Sequence, residues 1–361
     1  MWRRIGHTAR TLRVSRQSRQ ARHCTDSTLT RGSVPVPSVA SASVPGSVTT
    51  TRTKNSQNRA PATPAPTETA PGTAQAGAQG RETEGAEAAT EGGSIFDQER
   101  DMFNIRRKMA ACYQLGSYQS ALQHAQELRD RAAGLMGRRN AVYASSLNNV
   151  ALMHKMLGEK EAAMDSYTEA LQVYLEVAGK AHPSYASTLS NLGVLYKDMA
   201  RDSKGMDKHE LLARAEEALG DALSTRTSLG PTSKDTLYSA MHMASLLRMT
   251  KQEQKALVLL QETLLKAQQT YGLIDLICAA LHNDLGLLLK SRGSTDSASE
   301  STYSEALVHY TTALEIRSKQ LGDLHSDTVV STHNLAELYV AMGQEEKAAV
   351  LWEQLRGMVE E

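Results

Sequence analysis

The residues that could do chemistry are scattered along the sequence and do not fall into the spacings that enzymes use. His209-Glu-Leu-Leu-Ala213 begins like the zinc-protease motif, but Ala213 stands where the second histidine ligand belongs. The three cysteines, Cys24, Cys112 and Cys278, cannot form a disulfide framework, and no two of them have the spacing of a zinc-binding pair. The sequence also lacks a glycine-rich phosphate loop and a nucleophile elbow. We therefore expect no enzymatic activity, no metal site and no cofactor.

Charge is distributed unevenly along the chain, although 40 basic and 40 acidic side chains give a formal net charge of zero. The first 60 residues hold 11 basic side chains and a single acidic one, Asp26. Trp2, Ile5 and Leu12 share one face of a possible helix whose other faces carry arginines. An amphipathic, arginine-rich start without acidic residues predicts a mitochondrial transit peptide over residues 1–25, and a basic tail is the alternative.

Residues 26–98 are rich in Pro, Ser, Thr, Ala and Gly and contain few large apolar side chains. Seven of the nine prolines lie between Pro35 and Pro71. Such a segment cannot bury enough apolar surface to offset the entropy that a chain loses on folding. We therefore predict a disordered linker over residues 26–98.

From residue 99 to the end, the sequence repeats itself with a period of 42 residues. In five units an Asn, or a polar residue in its place, lies twelve positions after a glycine: Asn149, Asn191, His242, Asp284 and Asn334. A small residue follows two positions later, as at Gly193 and Gly286, and a large one such as Leu219 or Tyr310 comes in the second half of the unit. A fixed period of this length indicates stacked supersecondary units, about six of them over residues 99–361.

Each unit has the pattern of a helical hairpin, in which the small residues let two helices approach closely and the large residue fills the space beside them. Glycines that suit a left-handed helix end mark the turn within four units: Gly116, Gly158, Gly293 and Gly343. Two units carry extra residues, Arg201–Glu210 and Ser294–Thr302, which we predict to be loops at these turns. One hairpin cannot bury its apolar face alone, so the hairpins must stack.

The unit from Gly179 to Tyr196, Gly-Lys-Ala-His-Pro-Ser-Tyr-Ala-Ser-Thr-Leu-Ser-Asn-Leu-Gly-Val-Leu-Tyr, resembles the tetratricopeptide repeat family. Its 42-residue period is similar to the kinesin-light-chain-like branch, and the resemblance covers about 260 of the 361 residues. The resemblance implies an all-α fold, a right-handed solenoid of antiparallel helix hairpins, preceded by a disordered N-terminal region.

The resemblance also implies that the first helix of each hairpin lines a concave groove. A polar row and, six positions further along each helix, a basic row would then share this groove: Asn149, Lys155, Asn191, Lys197, His242, Arg248, Asp284, Lys290 and Asn334. Side-chain amides can bond an extended backbone, and Lys or Arg can pair with carboxylates. As in kinesin light chains, we expect extended acidic peptides as ligands; the alternative is that these lysines only solvate a helix face.

These features favour a protein-binding scaffold in mitochondria, in the matrix or on the matrix-facing inner membrane. By analogy with imported proteins of similar design, it would be an assembly or adaptor factor for a respiratory complex or the ribosome. The alternative is a cytoplasmic, kinesin-light-chain-like cargo adaptor. Nucleic acid is not expected, because residues 101–361 hold 27 basic and 32 acidic side chains. No apolar run reaches the length of a membrane span, so at most a peripheral membrane association is expected.

Overall fold

The structure is a computed structural model that describes residues 95–294 and 299–360. The predicted transit peptide over residues 1–25 and nearly all of the predicted linker over 26–98 lie outside the described residues. The first described helix begins at Ile95, and the residues from Met102 onward belong to one compact unit.

The described residues form twelve helices and no strand, and the helices pair into six antiparallel hairpins. The first helices of the hairpins are α1 (Ile95–Gln114), α3 (Ala141–Leu157), α5 (Pro183–Asp202), α7 (Lys234–Met249), α9 (Leu276–Gly293) and α11 (Ser326–Ala341). The second helices are α2 (Tyr118–Met136), α4 (Lys160–Val177), α6 (Gly205–Leu229), α8 (Glu253–Tyr271), α10 (Ser299–Leu321) and α12 (Glu345–Glu360). The predicted all-α solenoid of helix hairpins is therefore confirmed.

The first helices form the inner layer of the stack. From α3 to α11, each first helix contacts the second helix of its own hairpin, and from α3 to α9 each also contacts the next first helix along the solenoid. Direct contact between successive first helices is expected on the concave side, where the stack has its smaller radius. This layer carries both the polar and the basic row.

Pairs of small and large residues hold the two helices of a hairpin together. A Cβ atom built on Gly193 would lie 2.7 Å from Leu219 Cγ, and one built on Gly286 would lie 2.7 Å from Tyr310 Cε1. Leu219 and Tyr310 are fully buried. The predicted pairing of small and large positions is confirmed, and at these two positions only glycine leaves enough room.

Two predictions about the turns are wrong. Gly158 does end α3 in the left-handed conformation, with φ 83°, but Gly293 has no positive φ. A Cβ on Gly293 would instead collide with the ring of Tyr303, so this glycine permits close helix packing. The first insertion is also not a loop, because α5 continues to Asp202 and α6 begins at Gly205, which lengthens α6 to 25 residues. Of the second insertion, Ser294 follows the end of α9 and residues 299–302 are helical.

Two arginines, the buried Arg317 and the half-buried Arg226, connect successive hairpins, a feature that the repeat pattern does not reveal. Arg317 of α10 donates to the carbonyl oxygen of Asp327 at 3.0 Å and to Ser331 Oγ at 2.7 Å, both on α11. Arg226, at the same position of the third hairpin, makes the equivalent bonds to α7. Hydrogen bonds from a buried guanidinium to two groups of the next helix fix the angle between hairpins.

None of the described helices is both long enough and apolar enough to cross a lipid bilayer.

Candidate peptide-binding groove

The predicted polar row lies on the inner layer, one residue on each first helix from α3 to α11. Asn149 is buried, and the other four members are half-buried. Two of the amides bond to the preceding first helix: Asn191 Nδ2 donates to Asn148 Oδ1 at 3.2 Å, and Asn334 Nδ2 donates to Asn283 Oδ1 at 2.8 Å. Each bond uses one of the two N–H donors of its amide. The row therefore connects neighbouring repeats within the inner layer.

Asn149 differs from the other amides of the row because its carbonyl oxygen, Oδ1, is buried and accepts no hydrogen bond from the described residues. Only 6% of this residue is exposed. A buried acceptor without a donor is costly. Because this oxygen has almost no accessible surface, a ligand cannot reach it directly, and we assign Asn149 to the packing of α3.

Burial shifts the pKa values of His242 and Asp284, the central members of the polar row. Burial lowers the pKa of His242 to about 3, so its imidazole is neutral at physiological pH. Burial raises the pKa of Asp284 to about 6, against the attraction of Arg248 and Arg317. The floor of the groove therefore holds neutral polar groups at most positions and one carboxylate, Asp284, that is near the boundary of ionisation.

The four cations of the basic row have different surroundings. Lys155 pairs with Asp198 at 3.2 Å, and Lys290 pairs with Glu337; both carboxylates lie on the next first helix. Arg248 is half-buried and forms no ion pair within 4.0 Å in the described part of the chain. Of the four cations in the basic row, the Arg248 guanidinium is therefore the one most available to a carboxylate of a ligand.

Lys197 is the fourth cation and is almost completely buried, with 3% of the residue exposed. Its Nζ donates to Ser245 Oγ at 3.1 Å, and burial lowers its pKa to about 8. A side chain this deeply buried cannot reach a ligand directly. We assign Lys197 to the contact between α5 and α7.

Sequence reasoning placed Asp284 in the polar row but did not predict that carboxylates would balance the basic row. Three of them lie among the four cations, namely Asp198, Asp284 and Glu337. Glu337 occupies the position that Leu287 and Ser245 hold in the preceding repeats, and Asp198 directly follows Lys197. The basic row therefore carries little net positive charge once the carboxylates of the stacked neighbouring helices are included.

The cysteine and histidine side chains, which could bind a metal or react as thiols, lie in packed or internally hydrogen-bonded environments. Cys278 is buried, donates its thiol to the carbonyl oxygen of Gly272 at 3.2 Å, and has its pKa raised by burial to about 11. Cys112 is half-buried and packs beside a core cluster. Among residues 97–294 and 300–357, no three His, Cys, Asp or Glu side chains are grouped as metal ligands. His282 and His309 form a hydrogen-bonded pair of ring nitrogens at 2.8 Å.

Comparison with known proteins agrees with this architecture. The sequence profile of the tetratricopeptide repeat matches residues 101–176 and 300–361. No protein of curated function matches the sequence. Among solved structures, BtubC (BKLC) from P. vanneervenii is 19% identical with a TM-score of 0.50, over 73% of this chain and 91% of that one.

A Rap protein solved in complex with the Competence and Sporulation Factor is 15% identical with a TM-score of 0.57, over 75% of this chain and 68% of that one. At these identities the two structures show the fold alone. The sequence matches lie in the first and the last repeats, and the TPR-like solenoid continues between them. The described helices therefore form a TPR-like solenoid, and the tetratricopeptide-repeat profile matches its first and last repeats.

Proposed function

We propose that this chain is a non-catalytic scaffold whose concave groove binds extended, acidic segments of partner proteins. The observation that carries the proposal is Arg248, which lies half-buried at the middle of the inner layer and forms no ion pair within 4.0 Å with any described residue. A half-buried guanidinium can donate two parallel N–H bonds to one carboxylate. Little side-chain conformational freedom is lost when it does so.

Two further features of the groove support a peptide as the ligand. Asn191 and Asn334 each retain one amide N–H beyond their bond to the preceding helix, and each can donate it to a backbone carbonyl oxygen. Groups that bond a backbone, set beside one cation for a side chain, suit an extended chain with at least one acidic residue. The Rap protein of the same fold was solved with a factor bound.

Charge reversal at Arg248 tests this function in cells. Proximity labelling from the full chain should identify partners that are lost in Arg248→Glu and retained in Lys255→Glu, an exposed lysine on α8. Reversing Lys197 as well would confuse the result, because a buried glutamate there would unfold the stack. Identical partner sets in the two variants would contradict the proposal.

We propose mitochondria as the compartment, in the matrix or on the matrix-facing inner membrane, where the scaffold would assist assembly of a respiratory complex or the ribosome. The support is the arginine-rich, amphipathic segment over residues 1–25. Isolated energised mitochondria should import the full chain and shorten it at its N-terminus. A chain that remains outside at full length would refute this compartment.

The second candidate is a cytoplasmic cargo adaptor of the kinesin-light-chain type, favoured by the 42-residue period of the repeats. Co-sedimentation of the full chain with microtubules in the presence of kinesin motor would support it. Import with N-terminal trimming and no co-sedimentation would exclude it.

A further inference from the structure

Glu337 and Lys290 form an ion pair inside the groove, between the first helices of the last two repeats. The side chains are 41% and 24% exposed, so both remain accessible to a ligand. His333, one turn before Glu337 on α11, lies 3.9 Å from the other carboxylate oxygen. The pair therefore presents a neutral surface at a position where the basic row, considered alone, carries a positive charge.

The position of Glu337 in its repeat makes it unusual. The equivalent residues of the four preceding repeats carry no charge: Leu152, Val194, Ser245 and Leu287. In the third repeat the same geometry joins Lys197 to the hydroxyl of Ser245, at 3.1 Å. The basic side chain of one repeat thus reaches this position of the next repeat, and only in the last repeat is a carboxylate there to meet it.

We propose that Glu337 is an internal competitor for Lys290, which makes the groove recognise a single acidic side chain at Arg248 in place of a run of acidic residues. The inference rests on the proposed function, because it assumes that acidic peptides enter the groove. A ligand carboxylate near Lys290 would be repelled by Glu337. Displacing Glu337 would leave its carboxylate half-buried and without its cation, which cancels most of the gain.

Titration of a fluorescein-labelled polyglutamate peptide into the full chain tests this idea by fluorescence anisotropy. Glu337→Gln keeps the shape of the side chain and removes its charge, so it should tighten binding by about three- to tenfold. The gain should vanish in the double variant Glu337→Gln/Lys290→Gln, because it acts through Lys290. Glu346→Gln, an exposed residue in the first turn of α12, removes the same charge elsewhere and should have little effect.

The outcomes separate this inference from the function on which it rests. Binding that depends on Arg248 but does not tighten in Glu337→Gln would overturn the inference and leave the proposed function standing. An equal gain in Glu346→Gln would also overturn it, because the effect would then be one of overall charge. Polyglutamate binding that is absent, or unchanged in Arg248→Gln, would overturn the proposed function itself. Circular dichroism melting of each variant keeps misfolding from being taken as weak binding.

Discussion

Gly286 lies so close to the ring of Tyr310 that a Cβ atom on the glycine would approach Cε1 to 2.7 Å. Gly193 and Leu219 stand in the same relationship two repeats earlier. In each case a first helix lies directly against the large side chain of its second helix. Because Asp284 and Lys290 flank Gly286 on α9, this contact also sets where α9 presents its groove residues.

Replacing Gly286 with alanine should destabilise the protein. The added methyl group must push away a buried aromatic ring, and overpacking of this kind costs about 1–3 kcal/mol of the free energy of unfolding. Gly220, within α6, is the matched control, because a Cβ atom there would meet nothing within 4 Å. Gly220→Ala should be neutral or stabilise by about 0.5–1 kcal/mol. Urea unfolding of both variants checks this, and equal effects would contradict the packing argument.

The arginines that connect the hairpins lead to a second prediction. Arg317→Lys keeps the positive charge but cannot reproduce the two bonds to Asp327 and Ser331 of α11. Loss of these two hydrogen bonds should lower the free energy of unfolding by about 1–3 kcal/mol. Arg356→Lys changes an exposed arginine on α12 and should stay within about 0.5 kcal/mol of the wild type. Urea unfolding that gave no difference between the variants would show that Arg317 does not connect the hairpins.

Asp284 should make stability depend on pH in a defined direction. Its folded pKa of about 6 lies above the ordinary value of 3.8, so the folded state binds the proton more tightly. The stabilising contribution is complete below about pH 4 and is lost as the pH rises through about 6. The wild type should therefore lose about 2 kcal/mol relative to Asp284→Asn across this range.

Urea unfolding of wild type and Asp284→Asn at several pH values measures this difference directly. Other titrating groups, including His242, are common to both chains and cancel in the comparison. A difference that stays constant between pH 4 and 7, or that changes with the opposite sign, would show that Asp284 is not buried as described.

The repeat pattern predicted most of the fold because its chemistry is local. A hairpin of two helices needs a small residue facing a large one, and pairs such as Gly193 and Leu219 are visible as a period in the sequence. The insertion before Ala215 was placed wrongly in a loop. Its residues favour helix and extend α6, which an inference from repeat length alone cannot detect.

The candidate groove was predicted less completely, because its electrostatics depend on contacts between repeats. Lys155 and Asp198 are 43 residues apart, and Lys290 and Glu337 are 47 apart. Residues separated by about one period become neighbours only when the hairpins stack. The basic residues formed an obvious row along the sequence, whereas their acidic partners followed no single register. Reading each helix alone therefore overstated the positive charge of the groove.

Binding of the polyglutamate peptide to Arg248→Gln tests the central claim most directly. Because Arg248 forms no ion pair within 4.0 Å among the described side chains, its loss should weaken binding by about tenfold or more, whereas Lys255→Gln on α8 should change it little. The affinity of the wild type should also fall as salt is raised, since the contact is charge-assisted and partly exposed. A dissociation constant that rises in Arg248→Gln and not in Lys255→Gln is the predicted result. The same dissociation constant for wild type and Arg248→Gln would contradict the claim that this groove reads acidic segments.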